Sequence, residues 1–246
     1  MSDTLDVLRS HRSDRSYLST PVPDDVLQNI VEAAWRAPTS VNSQQVSLVV
    51  VRDPQRRAQL AELAGGQPWI AQAPVFIAVV LDMHKSAMAI REAGKEQVAH
   101  LSVESIVSGA TDAGIALEAM MAAARAQGLG IVPIGGIRAN PQAVTDLLKL
   151  PALTFPVVGL TLGYVDKPAP QKPRLPLSSF CHEEFYHEER IAPAIEQYNQ
   201  TLSEHWRQQQ RADGEDWGNN TASYYSHIYF PDVLAAILRQ GFRLDK

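Results

Sequence analysis

Two runs of apolar, β-branched residues constrain the fold more than any other feature of this chain. VSLVVV occupies residues 46–51 and VFIAVVL occupies residues 75–81. Uninterrupted runs of this length and composition are typical of strands that are buried on both faces. A charged segment at about 55–64, which ends at Gly65 and Gly66, has a helical pattern and separates the two runs. The sequence therefore predicts two strands inside a sheet, joined by a helix.

The longest helical pattern covers residues 102–127 and is rich in alanine and glycine. Gly109 and Gly114 lie inside it, where each glycine costs about 1 kcal/mol relative to alanine. Such a cost suggests that another backbone comes close to this helix. Packing against a partner subunit and tight packing within one chain would both explain the glycines, and the sequence leaves both open.

Shorter patterns complete the prediction. Apolar spacing indicates helices at residues 5–8 and 21–37, and Asn140 caps a helix that begins at Pro141. Further strands are predicted at residues 131–134 and 155–165, after which a proline-rich stretch at 166–176 indicates an extended arm and a polar, helical C-terminal part follows. Alternating strands and helices favour an α/β class, but the long central helix and the arm argue against a plain doubly wound sheet.

The charge balance and the cysteine content exclude several classes of protein. With 22 Lys+Arg against 27 Asp+Glu, the chain has no excess of cations for a broad nucleic-acid or anionic-membrane surface. A single cysteine, Cys181, excludes an internal disulfide and fits a reducing compartment. The N-terminus has no apolar signal core, and the longest apolar run, at 73–81, is about half a membrane span. These features predict a soluble, cytoplasmic protein without nucleic-acid or membrane partners.

The sequence contains no complete local motif for side-chain catalysis or for metal binding. GLGIVP has Pro133 where a dinucleotide fingerprint needs its third glycine, and it precedes a strand. Neither a P-loop nor a G-x-S-x-G nucleophile elbow occurs. In HEEFYHEE (182–189), Tyr186 stands where the second histidine of a zinc site would be. We therefore predict neither a catalytic side chain nor a metal site.

Several loops suit a flat, phosphorylated ligand instead. HRSDR (11–15) and KPR (172–174) supply cations, and arginine matches phosphate geometry well. PTSVNSQ (38–44) supplies short polar side chains, while GGQ (65–67) and IGGIR (134–138) leave backbone N–H groups unobstructed. Together these loops predict a ligand that carries its own reactivity, as a flavin does. A solvated turn is the alternative interpretation of HRSDR taken alone.

In their order along the chain, HRSDR, APTSVNSQ, GGQ, GLGIVPIGGIR and KPRLP resemble the motifs of the FMN-dependent nitroreductases. The most similar group is the oxygen-insensitive, NADPH-dependent type, which includes flavin reductases. The resemblance covers residues 1–180 well and continues more loosely towards the C-terminus. It implies an α+β fold: a three-layer sandwich with a central mixed, mainly antiparallel sheet between helices, in a domain-intertwined homodimer. Residues 1–180 would form the FMN-binding core, and residues 181–246 a helical C-terminal excursion of the same single domain.

The resemblance also implies the cofactor, the reaction and the site. FMN would be reduced by NADPH or NADH, and nitroaromatics, quinones or free flavin would then be reduced in a ping-pong cycle. The cofactor would carry the chemistry and the protein would supply contacts only. The implied FMN-binding residues are His11, Arg12, Ser13, Arg15, Lys172 and Arg174 around the phosphate and ribityl chain, Thr39, Ser40 and Asn42 along the dimethylbenzene and ribityl side, from the same chain or from the partner, Gln67 at the polar edge of the ring, and the backbone of Ile134, Gly135 and Gly136 near N5 and O4.

One stretch departs from the family pattern. NADPH-specific members carry two arginines just before a C-terminal tryptophan, whereas this chain has RADGEDW, with Arg211 followed by Glu215 and Asp216 before Trp217. Acidic groups repel a 2′-phosphate, so we expect a weakened or reversed NADPH preference.

A flavin-binding protein that sequesters FMN without efficient turnover is the alternative function.

Overall fold

A computed structural model describes residues 4–244 of the chain. The four strands are β1 (Val46–Val51), β2 (Val75–Asp82), β3 (Gly130–Ile134) and β4 (Thr154–Gly163). The helices are α1 (Thr4–Arg9), α2 (Asp24–Trp35), α3 (Pro54–Leu63), α4 (Pro68–Gln72), α5 (His84–Glu92), α6 (Glu104–Ala126), α7 (Pro141–Leu147), α8 (Ile191–Gln208), α9 (Trp217–Tyr225) and α10 (Val233–Arg239). Strands and helices were thus predicted at nearly all of their positions up to residue 163, although α4 and α5 were missed.

The chain forms two compact units. The first contains the described residues up to Ala169 and those from Phe230 onward, and the second contains Pro170–Tyr229. All four strands belong to the first unit, together with α1 to α7 and α10, whereas α8 and α9 belong to the second.

The four strands form one sheet in the order β1-β2-β4-β3, and all three pairings are antiparallel. Successive residues of β2 point to opposite faces. Val75, Ile77 and Val79 pack in one core cluster with α2 and α6. Phe76 and Ala78 pack in a second cluster with α3, α4 and α7. The three-layer α+β class is confirmed, with a wholly antiparallel sheet among the described strands.

Burial separates the two apolar runs. Every residue of β2 is buried, as predicted for a strand covered on both faces. In β1 only Val51 is buried, and Val50 is 39 % exposed, so the prediction of two buried faces is wrong for this strand. The physical reason is the covering of the faces: helices pack on both faces of β2, whereas residues 46–48 of β1 line a cleft that is open to solvent.

The two glycines of α6 have different environments. A Cβ added to Gly109 would lie 1.5 Å from Cδ1 of Leu81 on β2, so this glycine is explained by packing within the chain. A Cβ added to Gly114 would meet nothing within 4 Å, and Gly114 lies on an exposed face. By length and composition α6 is also the one helix of the described residues that could cross a membrane. Its buried stripe packs against the sheet and α2, as a core helix does.

The end of the described chain returns to the sheet of the first unit. Phe242 is fully buried in a third cluster with Leu81, Met83 and Phe155. The backbone N–H of Leu153 donates to the carbonyl of Gln240 at 2.7 Å. Residues from α10 onward therefore complete the core around one end of β2 and β4.

One predicted cap is wrong. Asn140 precedes α7, but its side chain makes no capping hydrogen bond. Its amide donates instead to the carbonyl of Leu63 at 2.8 Å, which ties the start of α7 to the end of α3. A tertiary hydrogen bond thus replaces the helix cap that the local sequence pattern predicted for Asn140.

Candidate functional site

The HRSDR segment runs along the end of the sheet. The N–H of Asp14 donates to the carbonyl of Ile131 on β3 at 2.9 Å. Tyr17 forms an isolated antiparallel bridge with Val165, just beyond β4. The phenol of Tyr17 bonds the hydroxyl of Thr161 at 2.8 Å, and burial raises the pKa of this phenol well above its ordinary value. These contacts hold the segment as a short extension of the sheet, because main-chain bonds fix its backbone.

Guanidinium groups gather around this segment. Arg12 and Arg15 are exposed, while His11 and Ser13 are half-buried. Arg125, on α6, donates to the carbonyl of Val7 at 2.7 Å. Burial lowers the pKa of Arg125, and the charge of nearby Arg12 lowers it further. Like charges that are held together in this way are favourable for an anion, because the anion relieves their repulsion.

Arg15 connects the segment to α4. Its guanidinium carbon lies 5.3 Å from the centroid of the Trp69 ring, a cation–π distance. Its Nη1 donates to the carbonyl of Ser13 at 3.3 Å. The Trp69 Nε1–H is buried and has no hydrogen-bond partner among the described residues. The indole thus limits the directions in which the Arg15 side chain can extend.

The turn after β3 packs against the residue that precedes α4. Gln67 Nε2 donates to the carbonyl of Ala64 at 2.7 Å. A Cβ added to Gly136 would lie 2.3 Å from that Nε2 and 2.5 Å from the Ala64 oxygen. The side chain of Ile134 is buried, so this residue offers only its backbone to a ligand. At the start of the 3₁₀ helix Gly135–Arg138, the first N–H groups have no partner within that helix.

Arg138 lies beside the same turn. It donates through Nη1 to the carbonyl of Val157 on β4. Its Nη2 lies 3.3 Å from the position that a Cβ on Gly135 would take. The guanidinium carbon is 5.7 Å from the centroid of the Phe230 ring, and Phe230 has a φ of 56°, which is rare for a bulky side chain. A fixed cation therefore stands next to the two-glycine turn.

The polar loop after α2 is bound to α6. The N–H of Ser40 donates to both carboxylate oxygens of Asp112, at 3.1 and 3.2 Å, and Gln45 Nε2 donates to the same carboxylate at 2.9 Å. The Thr39 hydroxyl accepts from the N–H of Gln44 at 3.1 Å. Asn42 has a left-handed φ of 55°. Asp112 is almost fully buried, so the loop is held on α6 by a fixed carboxylate.

A cleft of about 650 Å³ opens beside this loop. Thr39 and Asn42 line it, together with Trp35 at the end of α2 and Lys85 on α5. The cleft is open on one side, and Trp35 is 67 % exposed. The loop thus presents polar groups and an aromatic ring to the same space.

In the second unit, Trp206 on α8 lies close to two cations. Lys172 Nζ is 5.4 Å and the Arg211 guanidinium carbon is 4.7 Å from the ring centroids. Arg211 is paired with Asp213 at 2.8 Å. The indole N–H of Trp206 donates to the carbonyl of Glu215 at 3.0 Å. Arg211 therefore already has an acidic partner.

Other charged groups of this unit also have hydrogen-bond partners. Asp216 caps α9, because its Oδ1 accepts from the N–H of Asn219 at 2.8 Å. Arg207 makes two hydrogen bonds to Glu204, at 2.8 and 2.7 Å. Arg174 is exposed and its Nη1 donates only weakly, at 3.4 Å, to the carbonyls of Lys172 and Pro173.

The predicted residues fall into three groups. Arg15, Gln67, Gly135 and Gly136 come together through Trp69 and Ala64 in the first unit, with the rest of HRSDR attached. Thr39, Ser40 and Asn42 are bound to α6 instead. Lys172 and Arg174 belong to the second unit, and their part in a phosphate site stays a prediction.

Sequence reasoning missed three supporting residues, namely Trp69, Asp112 and Arg138. A tryptophan two residues after GGQ and an arginine that ends IGGIR were visible signals. The burial of Asp112 had no local signal, because it depends on the packing of α6 against the loop after α2.

Comparison with known proteins matches the whole chain to one family. The model of the "Nitroreductase family" matches residues 8–164, and that of the "Nitroreductase family, C-terminal domain" matches residues 172–245. The chain is 39 % identical to the "FMN reductase [NAD(P)H]" of Bacillus subtilis (strain 168) over 252 residues, which is 100 % of both chains.

Two solved structures give the same result. The structure of NfrA2 from B. megaterium has a TM-score of 0.97, 38 % identity and 100 % coverage of both chains. The NADPH:FMN oxidoreductase from Vibrio harveyi complexed with NAD+ has a TM-score of 0.88, 30 % identity and 98 % coverage of both chains.

Proposed function

This chain belongs to the nitroreductase family, and we propose that it transfers reducing equivalents from NAD(P)H through FMN to a second, oxidised small molecule. It is an FMN-dependent NAD(P)H oxidoreductase, as its similarity to the FMN reductase and to the NADPH:FMN oxidoreductase establishes. The family, the fold class and the cofactor inferred from the motifs are confirmed. The residues that hold the cofactor and the identity of the acceptor are part of the proposal.

The two-glycine turn carries the proposal for the site. A side chain at position 136 would occupy the space of the Gln67 amide and the Ala64 carbonyl, so only a glycine lets the turn pack against these two groups. The donor set fits FMN chemically. Arg12 and Arg15 suit the phosphate, the Gln67 amide suits the polar ring edge, and the free N–H groups at Gly135 and Gly136 suit the atoms that gain charge.

In this proposal, bound FMN supplies the two-electron redox chemistry. The protein binds and orients it. Arg12, Arg15, His11 and Ser13 hold the phosphate and ribityl chain, and Gln67 fixes the ring edge. Backbone N–H groups at the end of β3 stabilise negative charge that develops at the ring, which is the usual role of preorganised donors. None of these side chains needs to transfer a proton.

We further propose a homodimer, in which one face of α6 meets a partner subunit. Val103, Val107 and Ile115 are 53 %, 55 % and 39 % exposed on this face, and Gly114 lies among them. Exposed apolar patches of this kind mark interaction surfaces. Because Asp112 fixes the loop with Thr39, Ser40 and Asn42 on α6, these residues would reach the cofactor of the partner. Sedimentation equilibrium at micromolar concentration tests the dimer.

The acceptors that we propose are nitroaromatics, quinones and free flavin, in a ping-pong cycle in the cytoplasm. A site that opens over one face of a flavin makes few specific contacts, so several flat acceptors should compete. Parallel lines in double-reciprocal plots of rate against NAD(P)H at several acceptor concentrations are the expected result. Intersecting lines would contradict the ping-pong order.

One experiment tests the cofactor and the activity together. The purified protein should be yellow and release FMN at about one per chain on denaturation, and it should then oxidise NAD(P)H steadily when an acceptor is added. FMN release without steady oxidation would favour the sequestering function. A colourless protein that does not take up FMN would refute both functions.

A further inference from the structure

The HRSDR segment contains one acidic residue, Asp14, and this residue is buried. Asp14 is 2 % exposed, whereas Arg12 and Arg15 beside it are exposed. A carboxylate that is removed from water is unfavourable unless it is paired and hydrogen-bonded. A carboxylate within a segment that binds a phosphate also repels the ligand. The contacts of Asp14 explain why it is there.

Asp14 contacts two different parts of the chain. Its Oδ1 accepts from the N–H of Ala169 at 3.0 Å, and Arg12 Nε lies 3.6 Å from the same oxygen. Its own N–H is bonded to Ile131 at 2.9 Å, so the residue is fixed to the sheet. The carboxylate thus holds an arginine of HRSDR and Ala169, the residue at which the chain leaves the first unit for the second.

Gly130 makes room for this arrangement. A Cβ on Gly130 would lie 2.2 Å from Cγ2 of Val165, 2.9 Å from the Cβ of Asp14 and 3.0 Å from its Oδ2. A glycine at the start of β3 therefore leaves room for both the Val165 and the Asp14 side chains. Asp14 and Gly130, which are more than a hundred residues apart in the sequence, thus pack directly against each other.

We propose that Asp14 is a positioning residue of the FMN-phosphate site, which holds Arg12 in place and is itself held by the N–H of Ala169. This inference rests on the proposed function, because it needs FMN as the ligand. Holding cations in place before the ligand arrives reduces the entropy that binding costs, and this gain exceeds the repulsion from a carboxylate that Arg12 already neutralises.

The test compares FMN with riboflavin, which has the same ring and ribityl chain but no phosphate. Dissociation constants for both are measured by fluorescence quenching on flavin-free wild-type protein and on the variants D14A, D14N and D166A. The ratio of the riboflavin constant to the FMN constant reports the phosphate contribution alone. Asp166 is the matched control, since it accepts a hydrogen bond from the hydroxyl of Ser16, two residues after Asp14, at 3.0 Å but has no arginine partner among the described residues.

We expect D14A to weaken FMN binding about tenfold or more, the scale seen when a supporting contact is removed from a binding site, and to leave riboflavin binding unchanged. D14N should show a smaller loss for FMN, because the amide oxygen still accepts from Ala169 but no longer neutralises Arg12. D166A should bind both flavins as the wild type does. If D14A does not fold, the dissociation constants of D14N for FMN and riboflavin test the inference.

Two results would overturn the inference while leaving the proposed function intact. Equal losses for FMN and riboflavin in D14A would make Asp14 a purely structural residue. A D14N variant that binds FMN as tightly as the wild type, or more tightly, would mean that the carboxylate only opposes the phosphate. Wild-type protein that binds neither flavin would instead refute the proposed function, and this inference with it.

Discussion

Replacing Gly136 by alanine tests the packing on which the candidate site depends. The new methyl group would lie 2.3 Å from Gln67 Nε2, 2.5 Å from the Ala64 oxygen and 3.3 Å from the Ala64 carbonyl carbon. The Gln67 amide can swing away, but the Ala64 carbonyl is main chain at the end of α3 and cannot. Overpacking costs roughly 1–3 kcal/mol and the lost hydrogen bond from Gln67 to Ala64 about 1 kcal/mol, which gives roughly 2–4 kcal/mol of lost stability.

Urea unfolding of the flavin-free protein, followed by circular dichroism, measures this loss. The control is G135A, because the atom nearest to its new methyl group is Arg138 Nη2 at 3.3 Å, a longer distance than either of the two closest in G136A and to a side chain rather than to main chain. We expect G135A to stay within about 1 kcal/mol of the wild type. G136A should also bind FMN more weakly, because the amide of Gln67 is displaced. Equal stability of G136A and the wild type would refute the reasoning.

Three further predictions concern α6, Tyr17 and the electron donor. G109A should lower the stability of the subunit by about 1–3 kcal/mol in urea unfolding, although alanine has the better helix propensity. G114A should weaken the dimer in sedimentation and leave the packing within the chain unchanged. The opposite pattern would contradict the assignment of the two faces of α6. Burial raises the pKa of Tyr17, so its phenol stays neutral in the folded chain but ionises in the unfolded chain above about pH 10. The free energy of unfolding should therefore fall as pH rises further, by up to about 1.4 kcal/mol per pH unit. Tyr17→Phe should flatten this fall in urea titrations at several pH values, and an unchanged slope would exclude Tyr17 as its cause. Because Arg211 is paired with Asp213 and Glu215 lies nearby in the sequence, kcat/KM for NADH should equal or exceed that for NADPH, and a strong NADPH preference would count against this reasoning.

Much of the first unit could be predicted from local sequence. The runs that became β1 and β2 were long and apolar enough to leave little choice, and the glycines at 65, 66 and 128 mark real turns with positive φ. The direction of the strands could not be predicted this way. A continuous apolar run is typical of parallel strands, yet β2 is antiparallel to both neighbours and is buried because helices cover both faces.

The candidate site shows the same division. HRSDR, GGQ and IGGIR were predicted as ligand loops, and the structure brings them together. The supports of these loops were not predicted, because each depends on a distant part of the chain. Asp14 is buried only through Gly130 and Ala169, and Asp112 only through the loop at Ser40. No role was predicted for Asp14 from the sequence, because its charge offered no sign that it is buried.

The late return of the chain to its first unit affects how the protein is made. Domains commonly fold during synthesis, the N-terminal ones first. Here the cluster around Leu81 and Phe155 is closed by Ile237 and Phe242. A nascent chain that has passed β4 therefore still exposes this apolar surface while the ribosome translates the whole of Pro170–Tyr229. Until the last turns emerge, the unfinished subunit is a substrate for chaperones, and a premature stop codon after β4 should yield an aggregating product rather than a smaller enzyme.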